Sequence, residues 1–106
     1  MQRQFVNIGD KVYVINKYGS WSSGFDIQIN QYEVGYKGED SFVPKEFQHL
    51  SERYQVIKYA NCYKTPQEAM EVIKEAYGQR YEIEFTEHYN GMFYDVAFKD
   101  KNNKEN

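Results

Sequence analysis

The sequence predicts an α+β fold: an antiparallel, barrel-like sheet, one amphipathic helix over residues 66–77, and a C-terminal β-hairpin over residues 81–99. Three observations predict it. Apolar residues recur at every second position through much of residues 11–36, which is the period of a strand. Thr65-Pro66-Gln67-Glu68 carries the start signals of a helix. Asn90-Gly91 stands between two alternating runs, the strongest short signal for a hairpin.

Taken in order, residues 5–8 are a short strand candidate, followed by a turn at Gly9-Asp10. In residues 11–18, Val12 and Val14 fall on one face and Tyr13 and Ile15 on the other. A strand apolar on both faces belongs at the centre of a sheet or in a barrel. Residues 19–24, rich in Gly and Ser and containing Trp21, read as a flexible loop. Phe25, Ile27 and Ile29 then alternate in one phase, and Tyr32, Val34 and Tyr36 in the other. Such a change of phase predicts a bulge, bend or turn at Asn30-Gln31. Gly38-Glu39-Asp40 closes the run, Pro44 opens a short helical turn over residues 44–50, and residues 54–59 form another strand. Gly35-Tyr36-Lys37-Gly38 has the outline of a nucleic-acid backbone clamp, but it ends a strand, where a turn is expected.

The helix is the sharpest local feature. Thr65 is a good N-cap, Pro66 suits the first helical position, and Glu68 completes a capping box. Ala69, Met70, Val72, Ile73, Ala76 and Tyr77 fill one arc at about 100° per residue. Gly78 stands where a left-handed C-cap is expected. In the hairpin, a two-residue Asn90-Gly91 loop pairs Ile83 with Phe98, Phe85 with Val96 and Tyr89 with Met92 on one face. Glu82 then meets Lys99, and His88 meets Phe93, on the other. Residues 1–99 make a single domain, and residues 100–106 a disordered polar tail.

Composition narrows the function. The aromatic share is 18%, from eleven Tyr, seven Phe and one Trp, while Leu50 is the only leucine. Tyrosine therefore builds much of the core, and its polar tip also suits binding surfaces. A net charge of -3 with mixed signs argues against nucleic acid as a direct ligand, because that affinity needs a basic stripe. No run approaches the ~18 apolar residues of a membrane span, and Met1-Gln2-Arg3-Gln4 lacks a signal-peptide core. Cys62 is the single cysteine, so no internal disulfide forms and a reducing, cytoplasmic setting is expected.

Chemistry is sparse. His49, His88 and Cys62 match no nucleophile–base motif, and Cys62 reads as a small buried hydrophobe. Three scattered residues do not make a zinc site, and no phosphate loop or dinucleotide fingerprint is present. No catalytic residue, metal or cofactor is therefore expected. The candidate partner-binding residues are of two kinds. Glu68, Glu71 and Glu75 form an acidic stripe on the helix; Tyr18 and Trp21 lie in or beside the Gly/Ser loop.

Gly9-Asp10-Lys11-Val12-Tyr13-Val14-Ile15 resembles the opening strand of small Src-homology-3-like barrels, including KOW-type modules. Together with Tyr63-Lys64-Thr65-Pro66-Gln67-Glu68-Ala69 it is similar to short phage and mobile-element proteins of low-GC Gram-positive bacteria. The resemblance covers residues 5–77 and carries no functional residues with it. It implies an accessory protein from a group that includes anti-CRISPR inhibitors of host defence. Three function classes follow. One is a non-enzymatic protein-binding accessory domain. The second is an inhibitor of a nucleic-acid-handling defence system, acting by steric blockage or acidic mimicry. The third is a weak RNA- or single-strand-binding module.

Overall fold

A computed structural model describes residues 6–20, 24–47 and 56–101. Its elements are β1 (Lys11–Ser20), β2 (Gly24–Lys37), β3 (Ser41–Pro44), β4 (Ile57–Lys58), β5 (Cys62–Tyr63), α1 (Pro66–Tyr77), β6 (Tyr81–His88) and β7 (Phe93–Asp100). The fold is α+β. All strand pairs are antiparallel, in the order β4-β3-β2-β1-β5, with β7 also on β2 and β6 on β7. The sheet is not closed into a barrel. One edge of β2 is paired with β1 over residues 24–33, and the other is divided between β7 at residues 27–30 and β3 at residues 34–37. That division splits the sheet into two wings.

Each wing has its own core. Val6, Val12, Val14, Val34, Phe42, Tyr59 and Cys62 are buried together in the first. Ile27, Ile29, Ala69 and Ile73 centre the second, where α1 covers the sheet. The two apolar faces of β1 are thus both used: Val12 and Val14 serve the first core, Tyr13 and Ile15 the second.

The same division corrects the bulge expected at Asn30-Gln31. The β1–β2 ladder runs without interruption from Lys11↔Glu33 to Ser20↔Gly24. The phase of the apolar residues changes because β2 buries Ile27 and Ile29 on one face and Val34 on the other. The irregularity lies further on, between Val34 and Tyr36 against β3, where Gly35 has no side chain to place. Tyr36 itself is exposed.

Other expectations shift by smaller amounts. Residues 6–8 form no strand: Val6 is buried, Ile8 is exposed, and the chain turns at Gly9, whose φ of 94° suits glycine. Asn7 N–H donates to Asp10 Oδ2 at 2.9 Å, and Gly9 N–H to the Val34 carbonyl at 2.8 Å, fixing this turn on β2. Pro44 ends β3, and the short 3₁₀ turn after it spans Lys45–Phe47; residues 48–50 lie outside the described residues. Of residues 54–59, only Ile57–Lys58 are strand, residues 54–55 lie outside the described residues, and Tyr59 begins a 3₁₀ turn. Asp100 belongs to β7 rather than to a tail, and Lys101 N–H donates to the Arg80 carbonyl at 3.1 Å. Residues 102–106 lie outside the described residues.

The helix begins and ends where expected, with two differences in capping. Thr65 accepts from Glu68 N–H at 3.2 Å. The Glu68 carboxylate reaches back to Lys64 N–H, at 3.1 Å, and not to Thr65. Gly78 is right-handed, with φ −68°. Glycine is needed there for another reason: a Cβ would collide with the Lys74 carbonyl oxygen. Ala69 and Ile73 are buried and Met70 and Tyr77 pack beside them, whereas Val72 and Ala76 are exposed at the rim.

Candidate binding surface

The hairpin supplies the first part of the site. Its strands have the expected register, including Ile83↔Phe98, Phe85↔Val96, Glu82↔Lys99 and His88↔Phe93. The turn is different. Pairing stops at His88↔Phe93, and Tyr89, Asn90, Gly91 and Met92 form a four-residue loop in place of a two-residue one. Two hydrogen bonds account for this. Met92 N–H donates to the His88 carbonyl at 3.0 Å, and the Met92 carbonyl accepts from Gln31 N–H of β2 at 3.0 Å. Docking onto β2 therefore takes Met92 out of the β6–β7 ladder. The chain then turns through three left-handed residues, Tyr89 (φ 52°), Asn90 (φ 58°) and Gly91 (φ 91°). Asparagine and glycine accept that conformation readily, but a tyrosine there carries strain of about 1–2 kcal/mol.

The result is an apolar tip. Tyr89 is 75% exposed and Met92 57%. Behind them His88 stacks on Phe93, with ring centroids 4.6 Å apart and planes 12° from parallel. The Tyr89 ring lies 5.8 Å from that of Phe93.

From the tip a polar face runs back across β7, β2 and β1, on the side of the sheet away from α1. Alternation places Asn16 and Tyr18 of β1, Gln28 and Asn30 of β2, and Phe93 and Asp95 of β7 on it. Asn16 Nδ2 donates to Asn30 Oδ1 at 2.8 Å and to Tyr32 Oη at 3.3 Å, and Tyr18 Oη donates to the same Asn30 oxygen at 3.3 Å. Gln28 Nε2 donates to Asp95 Oδ1 at 2.9 Å. His88 Nε2 sits 2.9 Å from Asp95 Oδ2 without forming a hydrogen bond to it. Beside this network opens a cleft of about 430 Å³, lined by Val14, Asn16, Tyr32, Ile57, Lys58 and Asn61. Burial raises the pKa of Tyr32 above its ordinary value, with the Asn16 hydrogen bond acting in the opposite direction.

No family model, curated protein or solved structure matches the chain.

Tyr18 lies on this surface, on strand β1 as expected; the loop expected over residues 19–24 is shorter, because β1 continues to Ser20 and β2 begins at Gly24. Tyr18 is 46% exposed. Trp21 lies outside the described residues, as does His49. Glu68, Glu71 and Glu75 are exposed on α1, on the opposite side of the sheet, so the structure does not bring the acidic stripe and Tyr18 together. Two of the three have partners within the chain: Glu68 at the Lys64 amide, and Glu71 with Lys74 at 3.8 Å. Cys62 is buried in the first core, where its Sγ donates to the Lys58 carbonyl at 3.4 Å and burial pushes the thiol up to about 11. A thiol so raised is a poor nucleophile. Among the described residues no cluster of His, Cys, Asp and Glu is placed to hold a metal ion.

Sequence reasoning missed Asn16, Gln28, Asn30, Tyr89, Met92 and Asp95. A usable signal was present in part: Gln28 is polar between Ile27 and Ile29, so it must face away from the apolar side of that strand. The His88–Phe93 pairing follows from the hairpin register, as expected, and the structure has it.

Proposed function

We propose that this chain is a non-enzymatic protein-binding domain whose contact surface is the hairpin tip with the adjoining polar face. The observation that carries this reading is the exposure of Tyr89 and Met92 on a hydrogen-bonded turn. Tyr and Met are enriched at the centres of protein interfaces, and Tyr among the residues that dominate their energetics. Asn16, Gln28, Asn30 and Asp95 would supply a hydrogen-bonding rim around that apolar centre. A left-handed tyrosine supports the same reading, since such strain concentrates at functional sites. A cytoplasmic setting and a phage or mobile-element origin belong to this proposal; among the described residues no helix is long and apolar enough to cross a membrane.

The test is affinity capture from a nuclease-treated bacterial lysate, comparing wild type with the Tyr89→Ala/Met92→Ala double variant. The expected result is a specific protein partner whose capture falls more than about tenfold in the variant, as removal of interface anchors implies. Equal capture by both proteins refutes the tip as the contact. A second reading, inhibition of a nucleic-acid-handling defence system, draws support from the exposed carboxylates of Glu82 and Glu84 on β6. It predicts that the captured partner is itself a nucleic-acid-binding protein and that nucleic acid competes for it.

A further inference from the structure

Strand β6 is an edge. Among the described residues it pairs only with β7, and no backbone group outside the hairpin bonds to it. It is eight residues long, its register on β7 runs unbroken from Tyr81↔Asp100 to His88↔Phe93, and it contains no proline. A long regular edge offers a row of unpaired amide and carbonyl groups to another strand. The charges along it decide which strand.

A second copy of the chain is a weaker match. Opposed residues of an antiparallel pair share a face, so two copies of β6 meet either with Glu84 against Glu84, or with Phe85 against Phe85, which sets Glu82 and Glu84 opposite His88 and Thr86; neither register offers the carboxylates a lysine or arginine. Like charges directly opposite are destabilising. A basic strand meets the opposite situation. Glu82 and Glu84 project from the same face, about 7 Å apart for two residues of extended chain. Glu82 already faces Lys99 across the hairpin, but Glu84 faces Ala97 and has no cation opposite it. On the other face Ile83 and Phe85 are only partly buried, at the margin of the second core. There a groove of about 400 Å³, lined by Lys74, Gly78, Tyr81, Glu82, Ile83 and Lys101, leaves room beside the end of α1 for incoming apolar side chains.

We infer that β6 accepts an extended, basic segment of another protein as an added strand, with Lys or Arg at alternate positions facing Glu82 and Glu84. Apolar residues between them extend the second core over Ile83 and Phe85. This inference rests on the protein-binding reading and specifies the partner's chemistry and mode of attachment.

The test uses the full chain, isotope-labelled, titrated with two capped synthetic octapeptides, one alternating Lys with Val and one alternating Glu with Val. The Lys peptide is expected to shift the amide resonances of residues 81–88 saturably and to bind about tenfold more tightly than the Glu peptide, from two cross-strand charge pairs reversed in sign. In the Glu82→Lys/Glu84→Lys variant, whose substitutions are on exposed positions, the preference reverses. Absence of saturable shifts in β6, equal binding of both peptides, or shifts confined to the tip or to the Asn16–Asn30 face overturns the inference. An edge that stays silent leaves the tip reading intact if Tyr89→Ala/Met92→Ala still loses its captured partner. If capture is unchanged in that variant while the edge binds the Lys peptide, the tip reading is the one that fails.

Discussion

At the scale of single residues, two positions make opposite statements about chemistry. Cys62 is shut into a core with its thiol pushed up to about 11 from an ordinary 9.0, chiefly by burial. The fold therefore favours the protonated thiol, and its contribution is complete below about pH 9 and lost as pH rises towards 11. Cys62→Ala should be less stable than wild type at neutral pH, and the gap should narrow between pH 9 and 11. Urea titrations at several pH values measure this; a constant gap means that folding does not raise the thiol's pKa. Tyr89 is the converse, a residue held in a costly conformation at the surface. Tyr89→Gly should raise stability by about 1 kcal/mol through relief of the left-handed strain. The same substitution should weaken partner capture, because it removes the ring. A stability gain without loss of capture would show that the ring is not part of the contact.

At the scale of elements, the parts written in local chemistry were legible. Thr65, Pro66 and Glu68 mark the start of α1, and Thr65→Ala should cost about 1 kcal/mol in chemical denaturation. The β6–β7 register followed from matching Ile83, Phe85, Val96 and Phe98 on one face. What was not legible depended on a third element. The hairpin turn opened to four residues because Gln31 of β2 claims the Met92 carbonyl, and nothing in Tyr-Asn-Gly-Met announces a distant donor. Gly78 was read for its dihedral freedom, but its φ is ordinary and crowding by the Lys74 carbonyl excludes a side chain. This difference has a measurable sign. Helix propensity predicts that Gly78→Ala gains up to about 1 kcal/mol, whereas the collision predicts a lower denaturation midpoint. The polar face was hidden for a similar reason, since Asn16, Gln28, Asn30 and Asp95 meet only when β7 docks on β2.

At the scale of the whole molecule, two cores lie along a body of 51 × 28 × 25 Å, and β1 and β2 run through both. Neither core can melt without unravelling strands that the other needs. Ile73→Val in one core and Val34→Ala in the other should each shift a single unfolding transition, the first by about 1 kcal/mol, with fluorescence and circular dichroism coincident. Two separable transitions would show that the wings fold independently. The shared strand β2 also limits how the gene can change length. Because it buries opposite faces in its two halves, inserting or deleting one codon between Asn30 and Gln31 would turn one half's buried side chains to solvent while the other half stayed in place. No compensating slip along β1 can rescue both halves together. The same codon change at Glu39 or Asp40, in the exposed turn between β2 and β3, spares both cores. Length variation among descendants of this gene should therefore collect in that turn and be absent from residues 27–34.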